Sequence, residues 1–240
     1  MQNKGSVVLT FRDVTFGYGP LPVIKEVNFT VREGERIGII GPNGGGKTTA
    51  LKLILRLIKP DRGVIRTVGS IGYVPQQPEH DSKFPITVRE MVLTGAMRTM
   101  NLWGVYPRAI RRRADELLAL FSLSPFRDRS FGTLSGGQVQ KALIVRALIA
   151  DPSILLLDEP TANIDRETEA DIFSFLETLK GNRTVLIVTH NFDAIIRYGE
   201  RILCFRQTVS SMRPRDICKH FSLGIYHPVS DATEEGDSPE

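Results

Sequence analysis

Cysteine is scarce in this chain. The two residues present, Cys204 and Cys218, cannot build a disulfide framework, which excludes the small stapled folds of secreted proteins and suits a reducing compartment. Long apolar runs are missing as well: no stretch approaches the roughly 18 residues needed to span a bilayer, so the chain is not read as a channel. The N-terminus, MQNKGSVVLTF, lacks the apolar core of a signal peptide. Nor does one sign of charge prevail, with 31 Lys and Arg against 27 Asp and Glu. Five of those acids (Asp231, Glu234, Glu235, Asp237, Glu240) crowd the last ten residues without a base. Setting them apart from the formal +4 leaves +9 on the rest. Residues 229–240 are therefore expected to be a disordered tail behind a single domain spanning 1–228. A basic body suits nucleic acid or a membrane surface, but a polyphosphate ligand explains it equally, and no nucleic-acid partner is inferred.

What is present is an alternation of strand and helix patterns in 240 residues that are 41% apolar, enough for one large core with a satellite. Residues 7–11 (VVLTF) and 27–31 (VNFTV) read as antiparallel strands around a Gly/Pro-rich loop at 16–22. The run 36–40 is a short apolar strand, and Thr48 to Ile58 reads as a buried helix ending before Pro60. From about 87 to 135 the pattern turns helical and rich in Met and Arg, as an inserted subdomain would be. Helices over about 137–150 and 166–180 then alternate with strands at 154–157 and 185–188. The fold class is α/β: a mostly parallel core sheet, an N-terminal antiparallel β subdomain and an inserted helical subdomain.

Two glycine-rich turns precede helix-forming runs, where unpaired N–H groups and the helix dipole favour anions. The first, Gly41-Pro42-Asn43-Gly44-Gly45-Gly46-Lys47-Thr48, matches G-x-x-x-x-G-K-[ST] between a predicted strand and helix. Its N–H groups surround phosphates, Lys47 reaches the β- and γ-phosphates, and the Thr48 hydroxyl ligates Mg²⁺. The second is Leu134-Ser135-Gly136-Gly137-Gln138, redundant if one chain has one nucleotide site. Apolar Ile154–Leu157 ends in Asp158 and Glu159, adjacent acids that point to different places on a strand. Asp158 suits Mg²⁺ and Glu159 an attacking water. His190 ends the next strand and suits the γ-phosphate or a structural role. Gln76, with Gln77 as competitor, offers a neutral amide to metal or water, and Tyr18 offers a ring to adenine or to packing.

In this order the motifs resemble the ATP-binding-cassette (ABC) transporter ATPases over residues 7 to about 205. The resemblance rests on the aromatic loop at Tyr18, Walker A through Thr49, the glutamine loop at Gln76 and LSGGQ at 134–138. It continues through Walker B with Glu159, the D-loop 161–165 and His190. It implies a RecA-like P-loop NTPase core, an ATPase of the translocase class, ATP and Mg²⁺ as cofactors, and a head-to-tail homodimer. In such a dimer Ser135, Gly136, Gly137 and Gln138 of one copy meet ATP held by the other, and Asp165 couples the two sites. Three residues depart from the family pattern without removing a catalytic group: Gly45, Thr48 and Lys141.

The segments 72–76 and 84–95 look like the ATPases of zinc, manganese and iron-chelate importers, with a weaker likeness at 220–228. That similarity implies integral membrane permease partners, an indirect solute-binding protein, and a peripheral position on the cytoplasmic face of the inner membrane. Alternatives are a non-transport ATPase, such as one assembling iron-sulfur clusters, or a transporter ATPase for lipid or haem. Cys218, His220 and His227 are candidate zinc ligands lacking a fourth, and Arg108, Arg111, Arg112 and Arg113 form a basic cluster open to three readings: lipid headgroups, a partner, or a solvated helix face.

Overall fold

The computed structural model describes residues 5–76, 84–162, 164–179 and 183–214. Gln77, Asn163 of the D-loop, the Cys218/His220/His227 segment and the acidic tail lie outside the described residues. Two sheets organise the chain. A six-stranded sheet has the order β5(Ile71–Val74), β6(Ile154–Asp158), β7(Thr184–Val188), β3(Arg36–Ile40), β8(Arg201–Arg206), β9(Thr208–Met212). All pairings in it are parallel except the closing β8–β9 hairpin. A three-stranded antiparallel sheet orders β2(Ile24–Arg32), β1(Val7–Phe16), β4(Arg62–Thr67).

Strand periodicity divides the core between the two faces of the large sheet. In β6, Leu155 and Leu157 join one apolar cluster and Ile154 and Leu156 the other; in β7, Val185 and Ile187 oppose Leu186 and Val188 in the same way. Each such fully buried aliphatic side chain contributes about 2 kcal/mol. One face is covered by α1(Lys47–Ile54) and the antiparallel sheet, the other by α4(Gly136–Leu148), α5(Arg166–Thr178) and the helical insertion. The insertion comprises α2(Val88–Leu93), a 3₁₀ turn at Thr94–Thr99 and α3(Arg108–Leu120). Its entrance and exit are tied by backbone bonds from Val88 N to Arg129 O (3.0 Å) and Phe131 N to Ile86 O (2.9 Å). Arg89 pins α2 to α3 through Asp115 at 2.8 Å.

Three departures from the sequence pattern have local causes. The helix predicted over 48–58 stops at Ile54, because Arg56 turns left-handed (φ 58°) and Leu57 N bonds back to Lys52 O at 2.9 Å. Strand β4 and the β8–β9 hairpin, absent from the sequence reading, are short and mixed in polarity, and pairing with neighbours decides them. A short α6(Phe192–Tyr198) also follows β7, capped by Asn191 Oδ1 accepting from Ala194 N at 3.0 Å.

Candidate nucleotide site

The turn between β3 and α1 is shaped by what presses on it. A Cβ at Gly41 (φ 144°) would lie 2.2 Å from the carbonyl oxygen of Phe205, and one at Gly45 would lie 2.6 Å from that same atom. Strand β8 therefore braces the loop from below, with Gln207 N donating to Gly45 O at 3.1 Å. Gly46 (φ 101°) precedes α1 and brings no side-chain cap, and the first turn holds no acid. The orphan N–H groups there remain available to an anion. Lys47 is buried, and its Nζ donates to Gly41 O at 2.7 Å and Pro42 O at 3.0 Å. Burial lowers its pKa, a trend opposed by the nearby carboxylates of Glu159 and Asp158.

Opposite stands the end of β6. Asp158 and Glu159 are both buried, and burial raises the pKa of each. The Tyr73 hydroxyl, from neighbouring β5, donates to Asp158 Oδ2 at 3.5 Å. Burial first, then the Asp158 carboxylate, pushes that phenol up to about 12. Glu159 occupies the left-handed region (φ 48°), costly for a side chain of its size, and its N donates to Val188 O at 2.8 Å. His190 N donates to Glu159 Oε2 at 3.3 Å. The imidazole Nε2 lies 3.2 Å from Oε1, within ion-pair range but not aligned as a hydrogen bond, so that buried oxygen accepts none among the described residues.

These groups share one cleft of about 250 Å³, lined among others by Asn43, Gly44, Gly46, Lys47, Thr48, Thr49, Gln76, Asp158, Glu159 and His190. Carboxylate, imidazole, cationic, hydroxyl and amide groups thus converge from four separate parts of the chain. Tyr18 stands apart: 62% exposed, edge-on to Phe16 at 5.0 Å, with Lys52 Nζ 5.7 Å from its ring centre. Pro42, Ser135, Gly136, Gly137, Gln138 and Asp165 do not line the cleft either. Ser135 and Gln138 instead form a reciprocal cap on α4, with Gln138 N to Ser135 Oγ at 3.4 Å and Ser135 N to Gln138 Oε1 at 3.1 Å. Gly137 packs so tightly on α5 that a Cβ would sit 2.9 Å from the Thr168 side chain. Asp165 caps α5, accepting from Thr168 N at 2.8 Å and Thr168 Oγ1 at 2.9 Å. Lys141 holds Asp171 of α5 at 2.7 Å, the task its cation performs within this chain.

Sequence reasoning missed Tyr73, Lys52 and Phe205. Lys52 carried a signal, since it lies one helical turn beyond Thr48. Tyr73 and Phe205 carried none, because their roles depend on which strands become neighbours.

A phosphate loop facing a buried carboxylate pair across the carboxyl ends of parallel strands defines a P-loop nucleotide hydrolase. The ABC transporter family matches residues 24–162 of the chain. A Chlamydia trachomatis protein named "Probable metal transport system ATP-binding protein" is 40% identical over 214 residues, covering 85% of this chain and 90% of its own. The "High-affinity zinc uptake system ATP-binding protein ZnuC" of Bacillus subtilis is 33% identical over 207 residues, covering 82% and 90%. Among solved structures, "An inward-facing conformation of a putative metal-chelate type ABC transporter" superposes with a TM-score of 0.82 at 30% identity, covering 91% of this chain and 88% of that one. A dimeric ATP-binding cassette in a post-hydrolysis state with ADP and Pi superposes at 0.74 and 30% identity, covering 87% and 100%. The chain belongs to the ABC transporter family, as an ATP-hydrolysing cassette subunit.

Proposed function

We propose that this cassette energises import of a transition metal, zinc, manganese or iron, as a homodimer bound to integral membrane permease subunits that receive cargo from a solute-binding protein. It works from the cytoplasmic face of the inner membrane; among the described residues no helix is long and apolar enough to cross a bilayer. The observation carrying the ATPase half of this reading is the cleft itself, where Lys47 faces Glu159 and His190 while the LSGGQ turn lies outside it. A complete site then needs that turn from a second copy. Ser135 and Gly137 approach the γ-phosphate in trans, and Asp165 links the two sites. The metal half is supported by relatives named for metal and zinc transport.

In hydrolysis the ATP phosphates lie on the N–H groups of Gly41–Thr49, and Lys47 exchanges its carbonyl partners for phosphate oxygens. Water attacks the γ-phosphorus, the bond to the β–γ bridging oxygen breaks, and ADP and phosphate leave. Glu159 takes the proton from that water, a task helped by burial that makes its carboxylate more basic. His190 orients Glu159 and the γ-phosphate. Tyr18 stacks on adenine. Thr48, Gln76 and Asp158 bring a hydroxyl, an amide and a carboxylate to one cleft, hard oxygens that fit Mg²⁺. When bound, that ion neutralises charge on the β- and γ-phosphates. The segment after Gln76 passes the nucleotide state to the permease. Metal uptake by cells carrying the permease with either wild-type cassette or Lys47→Ala tests this: uptake should vanish with the variant, and uptake unchanged by it would refute the transport reading.

A further inference from the structure

The loop between the 3₁₀ turn at Thr94–Thr99 and α3 places two large apolar side chains in water. Leu102 is fully exposed and Trp103, the sole tryptophan of the chain, is 88% exposed. The loop is held in shape. Asn101 Oδ1 accepts from Trp103 N at 3.0 Å and Val105 N at 2.9 Å, Asn101 N donates to Val105 O at 3.1 Å, and Gly104 (φ 73°) donates to Asn101 O at 3.0 Å. Those bonds fix Leu102 and Trp103 at the apex of a closed turn. Their exposure is thus a property of an ordered tip, joined at once by the exposed Met97 and Val105.

Charge along the chain on both sides of the tip has one sign. No acid occurs from Met91 to Ala114, whereas Arg98, Arg108, Arg111, Arg112 and Arg113 do. Arg113 is committed to Asp151 at 2.8 Å, and Arg112 meets Glu116 at 3.4 Å with both side chains largely exposed. Arg98, Arg108 and Arg111 are exposed and form no ion pair among the described residues. Asp115 is taken by Arg89. An apolar, indole-bearing apex flanked in the chain by exposed arginines without ion pairs is complementary to an anionic interface with an apolar layer beneath it.

We propose that the Leu102–Trp103 tip and the basic start of α3 rest on an anionic lipid surface. Indole rings favour the headgroup level, arginines are drawn to anionic lipids, and together they give the two signals that peripheral binding requires. The acidic residues 231–240 of this chain match the charge but offer only Ala232 and Pro239 as apolar cover for Leu102 and Trp103. The lipid contact stands beside the importer reading rather than upon it: a cassette that drives a permease without touching lipid fails here alone.

Because Trp103 is the only tryptophan, its emission in the full-length chain reports the tip directly. Phosphatidylcholine vesicles containing phosphatidylglycerol should shift that emission to shorter wavelength and sediment the protein; pure phosphatidylcholine should do neither. Salt at 1 M should reverse both, since the screening length falls to about 3 Å. Replacing Arg108, Arg111 and Arg112 together by Gln should weaken vesicle binding roughly 100-fold. Trp103→Ser should abolish sedimentation, with ATP hydrolysis and melting temperature unchanged in both variants. Equal behaviour with and without phosphatidylglycerol would overturn the proposal. So would a shift seen only when the permease is present in the vesicles, which would assign the tip to a protein, or a shift on deleting residues 229–240 without vesicles, which would assign it to the tail.

Discussion

Glu159 is the residue where backbone and chemistry conflict. It sits in the left-handed region at φ 48°, held there by bonds from its N–H to Val188 O (2.8 Å) and from Ala162 N to its own carbonyl (3.1 Å). An L-residue pays roughly 1–2 kcal/mol for that conformation, and glycine escapes it at a loss of about 0.4–1 kcal/mol through the freer unfolded chain. Glu159→Gly should therefore be more stable than Glu159→Ala by roughly 0.5–1 kcal/mol. That corresponds to a difference of about 1–4 °C in melting temperature for a chain of this size. Both variants, and Glu159→Gln, lose the proposed base and should hydrolyse ATP roughly 10²–10⁴-fold more slowly. Nucleotide binding should persist, and Glu159→Gln should accumulate as an ATP-bound dimer. Thermal unfolding without nucleotide, run beside steady-state hydrolysis, measures both effects. If the glycine variant melts at or below the alanine variant, the surrounding bonds do not enforce the backbone and the strain argument is wrong. Normal turnover by Glu159→Gln would remove Glu159 from the mechanism altogether.

A methyl group at Gly137 meets Thr168 at 2.9 Å, so Gly137→Ala should destabilise the α4–α5 contact by about 1–3 kcal/mol. Adding Thr168→Ala should restore the melting temperature but not hydrolysis if the glycine also admits a nucleotide from a second copy; full recovery of both would reduce Gly137 to packing. The pH dependence carries a sign. Burial raises the folded-state pKa of Glu159, so the folded chain holds that proton more tightly than the unfolded one. Its ionisation then costs stability as pH rises past the ordinary carboxylate value, fully so above the raised one, while the proposed base becomes competent over the same window. Hydrolysis should accordingly rise, and nucleotide-free stability should fall, as pH climbs through that range. A wild-type stability profile parallel to that of Glu159→Gln would contradict the buried-carboxylate account. Asp151 runs the other way: hydrogen bonds from Arg183 and Arg113 lower its pKa, and its contribution fades as pH drops through the lowered value.

The sequence alone pointed to the chemistry proposed for the cleft. Gly41 to Thr48, Asp158-Glu159 and His190 were legible because each is a fixed residue type at a fixed offset from an apolar strand, and strand ends in α/β sheets face one side. It determined the helical insertion too, through the change of period after Thr87, and it raised the puzzle of a second anion-binding turn at 134–138. Tertiary structure decided what no local pattern encodes, because strand order is a long-range matter. The placement of β5 beside β6 brings Tyr73 to Asp158, and the placement of β8 beside β3 puts the Phe205 carbonyl under Gly41 and Gly45. The same long-range packing leaves Ser135 and Gly137 capping and packing α4 outside the cleft. Side chains with nothing to bury against were equally invisible beforehand: that Leu102 and Trp103 stay in solvent follows only from where the insertion ends and the core begins.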